Sequence, residues 1–142
     1  MASTGLATFD NTIQETNELL KEIEVSMGWT DRREQSYSAL RVVLQALRDR
    51  LPLVEAVNLA AQLPMLIRGL FYEGWNVSDV PIKMDKEEFL DRIRENFVYS
   101  IDVSISDMVK IVLLVVMESI DLAEAEKIKA VLPKDVADLI KV

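Results

Sequence analysis

The sequence predicts an all-α protein made of two tandem four-helix repeats that pack into one compact helical domain. The first observation behind this is an internal repeat, because Gln62-Leu63-Pro64 returns as Val131-Leu132-Pro133 at an offset of 69 residues. The second is that apolar residues recur at the three- and four-residue intervals of amphipathic helices, and the third is that no window alternates as a strand would. We place repeat one at about 6–74, a linker at 75–84 and repeat two at about 85–142, within a single domain of residues 1–142.

Glycine and proline divide the first repeat. Gly28 is expected to end a long first helix, and Thr30 or Asp31 can cap the second helix. Pro52 then breaks the second helix and opens the third, since proline is tolerated in the first turn, where its missing N–H would have had no partner. Two short helices follow, at about 53–62 and 64–74.

Polar residues mark the helix starts of the second repeat, which follows a turn-rich linker. Asp85 with Glu88 three residues later resembles a capping box. Weaker versions are Ser104 with Asp107 and Asp121 with Glu124. The predicted helices are about 86–98, 105–119, 121–131 and 133–141.

The two repeats are expected to share one hydrophobic core. Each repeat alone has the size at which small domains are only marginally stable, so neither can bury enough apolar surface by itself. The apolar stripes expected to form the interface are Leu40, Leu44 and Leu47 in the first repeat and Val109, Leu113 and Val116 in the second.

The composition excludes several kinds of chemistry. The chain contains neither cysteine nor histidine. Thiol catalysis, disulfides and histidine-containing metal centres are therefore ruled out, and we predict no metal and no cofactor. Glu15, Glu18 and Glu22 share one helix face, which we interpret as a solvated face because the Glu-x-x-His motif of bundle di-metal sites is missing.

The charge argues against nucleic-acid and membrane partners. The formal net charge is −8, which repels a phosphate backbone, and amphipathic membrane-surface helices are rich in lysine and arginine rather than glutamate. The start of the chain lacks the basic and apolar regions of a leader, and the apolar run 111–117 is too short to span a bilayer. We therefore expect a cytoplasmic protein.

Several longer motifs resemble those of a known family. They are Gly28-Trp29-Thr30-Asp31, the stretch from Ala39-Leu40-Arg41 to Leu51-Pro52, the run Gln62-Leu63-Pro64-Met65-Leu66-Ile67-Arg68-Gly69, and Tyr72-Glu73-Gly74-Trp75. Together they are similar to a bacterial family known as domain of unknown function 2267. The resemblance implies a soluble, all-helical protein and brings no agreed activity or catalytic residue.

Polar residues found in only one repeat are the candidate site residues, because packing explains the apolar positions that both repeats share. Arg68, Tyr72 and Trp75 are spaced by four and seven residues and so share a helix face. An arginine beside aromatic rings can bind an anionic, planar or peptide ligand, although ordinary packing at the edge of a core explains the pattern equally well. Arg48 and Glu73 complete the candidate set for ligand or partner binding, and we name no catalytic residue.

Two functional hypotheses remain open at this point. The first is a non-enzymatic, cytosolic protein-interaction or scaffold module, with a protein partner or self-association, for example as a homodimer. The alternative is a small-ligand binding protein or enzyme with its site between the two repeats, using Arg48, Arg68, Tyr72 and Glu73. An enclosed polar pocket between the repeats would favour the alternative, whereas a flat apolar surface around Trp75 would favour the first hypothesis.

Overall fold

Eight α-helices and no β-strand make up residues 3–141, the part of the chain that the computed structural model describes. In chain order they are α1 (Ala7–Met27), α2 (Arg33–Arg50), α3 (Leu53–Ala61), α4 (Met65–Tyr72), α5 (Lys86–Asn96), α6 (Ile105–Glu118), α7 (Leu122–Val131) and α8 (Lys134–Ala137). The predicted all-α fold is confirmed. None of these helices is both long enough and apolar enough to cross a bilayer.

Glycine and proline end and start helices as predicted. Gly28 follows α1 with a left-handed backbone (φ 72°), a conformation that favours glycine, and its N–H donates to the carbonyl of Val25 at 3.1 Å. Pro52, Pro64 and Pro133 directly precede α3, α4 and α8, with φ between −57° and −55°. The predicted starts of these three helices are thus within one residue of those observed.

The cap of α2 differs from the prediction. Neither Thr30 nor Asp31 caps this helix, and Asp31 has a left-handed backbone (φ 53°). Instead Glu24, one turn from the end of α1, accepts hydrogen bonds from the backbone N–H of Arg32 at 2.9 Å and from Nε of Arg33 at 2.7 Å. The hydrogen bond from Arg33 lowers the pKa of Glu24 below its ordinary value. A carboxylate from the preceding helix has therefore replaced a local cap.

Local caps of the second half follow the sequence more closely. Asp85 Oδ1 accepts the backbone N–H of Glu88 at 2.9 Å, and Glu88 Oε1 accepts the backbone N–H of Asp85 at 3.1 Å, which completes the predicted capping box. Ser104 Oγ accepts the backbone N–H of Asp107 at 3.0 Å. Polar side chains at these starts satisfy N–H groups that have no partner within their own helix.

The core lies around α2 and α6. Helix α2 packs against α1, α4, α5 and α6, while α6 packs against α1, α2, α5 and α7. The two predicted stripes, Leu40, Leu44 and Leu47 on α2 and Val109, Leu113 and Val116 on α6, are all buried. These helices contact each other as expected, and their buried side chains belong to one continuous core that draws on both halves of the chain.

Some helix contacts recur between the two halves of the chain, although the contact of α2 with α4 has no comparable counterpart between α6 and α8. The 69-residue offset pairs α1 with α5, α2 with α6, α3 with α7 and α4 with α8. Under that exchange the contact of α1 with α6 becomes that of α5 with α2, and the contact of α1 with α4 becomes that of α5 with α8. This pattern is consistent with a pseudo-twofold relation, and close superposition of the halves stays a prediction.

Two segments are less helical than predicted. Helix α8 ends at Ala137, and the following residues, expected to continue it to 141, form tighter turns that bury Leu139 and Ile140. Helix α4 ends at Tyr72, and the chain from there to α5 contains the predicted linker. In this segment the N–H of Ile82 donates to the carbonyl of Asp49 at 2.8 Å, which ties it to the end of α2.

Candidate functional site

Arg48 is buried where the end of α2 meets the end of α4. Only 5% of this residue is exposed. Its Nε donates to Asp49 Oδ1 at 2.8 Å, and its Nη1 donates to the carbonyls of Phe71 at 2.9 Å and Glu73 at 2.8 Å. The last carbonyls of a helix have no partner within that helix. Arg48 therefore caps α4 and contacts the backbone of Glu73, another predicted site residue.

A polar cleft opens beside Arg48, between α2 of the first half and α5 of the second. Its volume is about 180 Å³. Its polar lining residues are Arg41, Gln45, Arg48, Asp49, Arg92 and Asn96. Asp49 is buried and accepts from both Arg48 at 2.8 Å and Arg92 at 3.0 Å, so its carboxylate joins the two helices. We refer to this feature as the polar cleft.

Arg68 lies at the other end of α4, at the corner between α3 and α4. Its Nε donates to the carbonyl of Ala60 at 2.8 Å, and its Nη2 donates to the carbonyl of Leu63 at 3.1 Å and more weakly to that of Ala61 at 3.5 Å. The guanidinium group thus caps the end of α3. All of its hydrogen bonds go to these carbonyls. The side chain of Arg68 forms no hydrogen bond with Arg48, Tyr72, Glu73 or Trp75, the other predicted site residues.

Tyr72 and Trp75 stack on each other near the end of α4. Their ring centroids are 5.4 Å apart and their planes are inclined by 21°. Both are partly buried and pack against the core. The indole Nε1 of Trp75 is buried and has no hydrogen-bond partner among the described residues. Among the predicted site residues, Arg48 is hydrogen-bonded to the backbone of Glu73, and Tyr72 is stacked on Trp75. A binding role for any of these residues stays a prediction.

A second, larger opening carries a strong negative charge, and we call it the acidic groove. It lies between α1, the corner that joins α3 to α4, and the end of α6, with a volume of about 370 Å³. Its lining residues are Glu15, Glu18, Leu19 and Glu22 from α1, Gln62 and Pro64 from the corner, Val115 and Glu118 from α6, and Ser119 directly after α6. Apolar side chains of three separate segments thus meet four carboxylates.

The carboxylates of the acidic groove are not neutralised within the described chain. None of the four forms an ion pair there, and no lysine or arginine lines the groove. Glu18 accepts only the side-chain amide of Gln14, at 3.2 Å. Like charges one helical turn apart destabilise a helix slightly. This surface therefore has a small cost in stability and attracts positive charge.

Two exposed apolar residues lie at the start of α4, next to the corner that lines the groove. Met65 and Leu66, which follow the groove-lining Pro64, are 45% and 49% exposed. The backbone N–H of Leu66 donates to the hydroxyl of Thr12 on α1 at 3.2 Å, which holds the start of α4 against α1. Two exposed apolar residues therefore follow the groove-lining Pro64 directly along the chain.

The chain also matches a family model, described as Uncharacterized conserved protein (DUF2267), over residues 16–139. The chain belongs to the DUF2267 family. The match covers nearly the whole chain, so the polar cleft and all of the acidic groove except Glu15 lie within the DUF2267 region. A search of curated proteins found no match to this sequence. DUF2267 membership therefore supports the fold and leaves the function to be argued from the geometry.

Sequence reasoning missed the acidic groove in this DUF2267 chain. It identified Glu15, Glu18 and Glu22 as one face of a helix, and they are exposed, but it did not predict what lies opposite. Glu118 and the corner at Gln62 are brought there by the packing of α1 against α6 and α4. The local signal for a groove was the run of glutamates that flanks the apolar Leu19 on α1.

Sequence reasoning also missed a pair of buried carboxyl groups. Glu55 on α3 and Glu124 on α7 are 69 residues apart, at matching positions of the sequence repeat, and their two helices are in contact. Each has a buried Oε2 atom without a hydrogen-bond partner among the described residues. Burial, followed by the negative charge of Glu55, raises the pKa of Glu124. The repeat itself was the signal that could have revealed this pair.

Proposed function

We propose that this protein is a non-enzymatic interaction module that binds a basic, amphipathic segment of a partner protein in the acidic groove. The observation that carries the proposal is the combination of an apolar floor with four carboxylates that have no cationic partner in the described chain. A helix with an apolar face and a basic face satisfies both features at once. We place this function in the cytoplasm, in line with the expectation from the sequence.

The shape of the surface supports a helical partner. The groove is bordered by α1, which runs for 21 residues. Exposed Met65 and Leu66 follow the groove-lining Pro64, and the backbone of Leu66 is bonded to Thr12 on α1. An amphipathic helix docks by placing residues from successive turns into such a surface. Lysine or arginine on its flanks would meet Glu15, Glu18 and Glu22.

Charge favours a cationic partner over a second copy of this chain at the groove. Each copy carries a net charge of −8, so a second copy would on average be repelled by the groove. Complementary charge also speeds association and excludes partners of the wrong sign. Self-association, for example as a homodimer, stays a prediction for other surfaces.

Arg68 has a supporting role in this proposal. It caps α3 through the carbonyls of Ala60 and Leu63, which flank the groove-lining Gln62 and precede Pro64. The guanidinium group therefore holds the corner that forms one wall of the groove. In this way a predicted site residue contributes to binding without touching the partner.

Isothermal titration calorimetry with a designed peptide tests the proposal. The probe is a helix of about 14 residues, roughly four turns, with leucine on one face and lysine on the other. The double variant Glu18→Gln and Glu22→Gln removes two groove charges, and we expect it to weaken binding about tenfold. Leu66→Gln, which changes an exposed apolar residue, is expected to weaken binding without loss of stability.

A variant of equal charge provides the control. Glu87→Gln with Glu126→Gln changes the net charge by the same amount, at exposed positions on α5 and α7 that do not line the groove. We expect binding to change by less than about twofold in this control, because only long-range attraction is lost. Equal losses in both double variants would show that the peptide responds to net charge alone, and the proposal would then be abandoned.

A further inference from the structure

The polar cleft between α2 and α5 has a local charge opposite to that of the whole protein. Three arginines and one aspartate line it, whereas the chain as a whole carries a net charge of −8. It shares no lining residue with the acidic groove. A surplus of guanidinium groups in an acidic protein is a feature that neither the fold nor the proposed function explains.

The arginine at the base of the cleft is held in a fixed position. Three hydrogen bonds, to Asp49 and to the carbonyls of Phe71 and Glu73, occupy Nε and Nη1 of Arg48. Its Nη2 makes no hydrogen bond within the described residues, and it is not among the fully buried atoms that lack a partner there. This nitrogen therefore has some exposed surface and a free N–H donor, on a residue that lines the cleft.

The charged residues that line the cleft sum to a positive charge. An adjoining opening that shares Arg92 and Asn96 is lined by the carboxylates of Glu88, Asp91 and Glu95. Asp49 is shared between Arg48 and Arg92, so one negative charge is balanced against two positive ones. Arg41 has its nearest carboxylate, Glu73, at 4.0 Å, and that side chain is 72% exposed. An exposed pair at this distance contributes little and is easily exchanged for another anion.

We propose that the polar cleft binds a small oxyanion, with Arg48 Nη2 and the guanidinium group of Arg41 as donors and Arg92 as a further source of positive charge. Guanidinium groups match the geometry of phosphate, sulfate and carboxylate oxygens. The cleft volume of about 180 Å³ is below the range of about 300–1,000 Å³ usual for whole small-molecule ligands. The ligand is therefore a free oxyanion or the anionic group of a larger molecule.

Titration with inorganic phosphate tests this site. At constant ionic strength and neutral pH, we expect phosphate to shift the amide resonances of α2 and α5 in a saturable manner, while chloride leaves them in place. Arg41→Gln alters an arginine that is only partly buried and makes no short hydrogen bond, so the protein should remain folded. Its phosphate affinity is expected to fall about tenfold.

Arg94→Gln is the matched control, because Arg94 lies on α5, pairs with Asp91 and does not line the cleft. Its phosphate affinity should equal that of the unaltered protein. A phosphate monoester such as glycerol phosphate identifies the source: tighter binding than inorganic phosphate indicates a phosphorylated small molecule, and equal binding indicates the free ion. No saturable shift, or equal affinities in Arg41→Gln and Arg94→Gln, would overturn the inference and leave the peptide proposal unaffected.

Discussion

Glu55 and Glu124, at matching positions of the sequence repeat, each bury a carboxylate oxygen at the contact between α3 and α7 without a hydrogen-bond donor among the described residues. Two ionised carboxylates can only accept hydrogen bonds, so a proton shared between them would provide the missing donor. Burial and the charge of Glu55 both raise the pKa of Glu124, Asp121 adds to this effect, and Lys127 opposes it. The folded protein therefore holds the proton of Glu124 more tightly than the unfolded chain does.

This pair predicts a decline in stability with rising pH. Below the ordinary glutamate value of 4.5, Glu124 is protonated in both the folded and the unfolded chain. Above that value the unfolded chain loses its proton first, so the free energy of unfolding falls until the folded protein has also released its proton. Glu124→Gln removes this decline, because a neutral amide can donate to Glu55. We expect this variant to be more stable by about 1 kcal/mol near neutral pH.

Urea unfolding of both proteins at a series of pH values measures the difference. The stabilisation by Glu124→Gln should be small near pH 4.5 and should grow as the pH rises. Glu126→Gln, an exposed change on the same helix, should show no such growth. A difference between Glu124→Gln and the unaltered protein that stays constant over the pH range would contradict the shared proton.

Glu124 also shows a limit of prediction from the sequence. Asp121 and Glu124 have the spacing of Asp85 and Glu88 and predict a weaker capping box. Asp121 caps α7 through its side chain, but the predicted box with Glu124 is not formed. The backbone N–H of Asp121 donates to Gln62 Oε1 at 2.7 Å, and its carboxylate accepts from Ala123 at 3.4 Å. Glu124 turns to Glu55 instead. At this start the side chain of Gln62, 59 residues away, accepts the backbone N–H that Glu124 would accept in a capping box.

Features set by neighbouring residues could be predicted from the sequence, whereas features formed by distant segments could not. Gly28 and the prolines act on the backbone of their own neighbours, so the sequence alone predicts the helix ends that they set. Buried stripes are predictable for a similar reason, since they depend on helical period. The acidic groove and the polar cleft require knowledge of which helices touch, and residues as distant as Glu22 and Glu118 meet only in the folded chain.

Replacement of Glu24 should destabilise the start of α2. This carboxylate accepts from the backbone of Arg32 and from the side chain of Arg33, so Glu24→Gln loses the charge-assisted part of both bonds. We expect a lower melting temperature at neutral pH. Because the pKa of Glu24 is lowered in the folded protein, its contribution is present above 4.5 and is lost as the pH falls below that value.

Thermal melts from neutral to acidic pH check this prediction. The gap between Glu24→Gln and the unaltered protein should narrow as the solution becomes more acidic. The Glu124→Gln difference also shrinks in acid but has the opposite sign, since that variant is the more stable protein. Glu34→Gln, an exposed change in the first turn of α2, serves as the comparison for a carboxylate near a helix start. A gap for Glu24→Gln that is independent of pH would refute the assigned cap.

Arg48 is expected to be the most sensitive polar residue for stability. Arg48→Met keeps much of the side-chain volume but removes the donors to Asp49, Phe71 and Glu73. A buried charge and two helix-end carbonyls lose a partner, so we expect a loss of about 3 kcal/mol in the free energy of unfolding. Urea denaturation measures it. Arg94→Met, at an exposed arginine, should cost less than about 0.5 kcal/mol.

The acidic groove should make the protein more stable when its charge is reduced. Glu15 and Glu18, and Glu18 and Glu22, are three and four residues apart on α1, where like charges repel. Glu18→Gln with Glu22→Gln is expected to raise the free energy of unfolding by about 0.5 kcal/mol at low ionic strength. Added salt should reduce that gain, since it screens exposed charges. A loss of stability in this variant would show that the carboxylates serve packing rather than binding.

A variant of Arg68 tests whether this residue serves only packing or also partner binding. Its three bonds to the carbonyls of Ala60, Ala61 and Leu63 predict that Arg68→Met lowers the free energy of unfolding by about 2 kcal/mol. If the corner that it caps forms a wall of the groove, the same variant should also bind the leucine–lysine peptide less tightly, at a temperature where it remains fully folded. Calorimetry and urea denaturation on one sample preparation provide both numbers. Lower stability with unchanged peptide affinity would limit Arg68 to packing. In that case the loss of its bonds to the corner would not have disturbed the groove, so the cap would not be needed for binding.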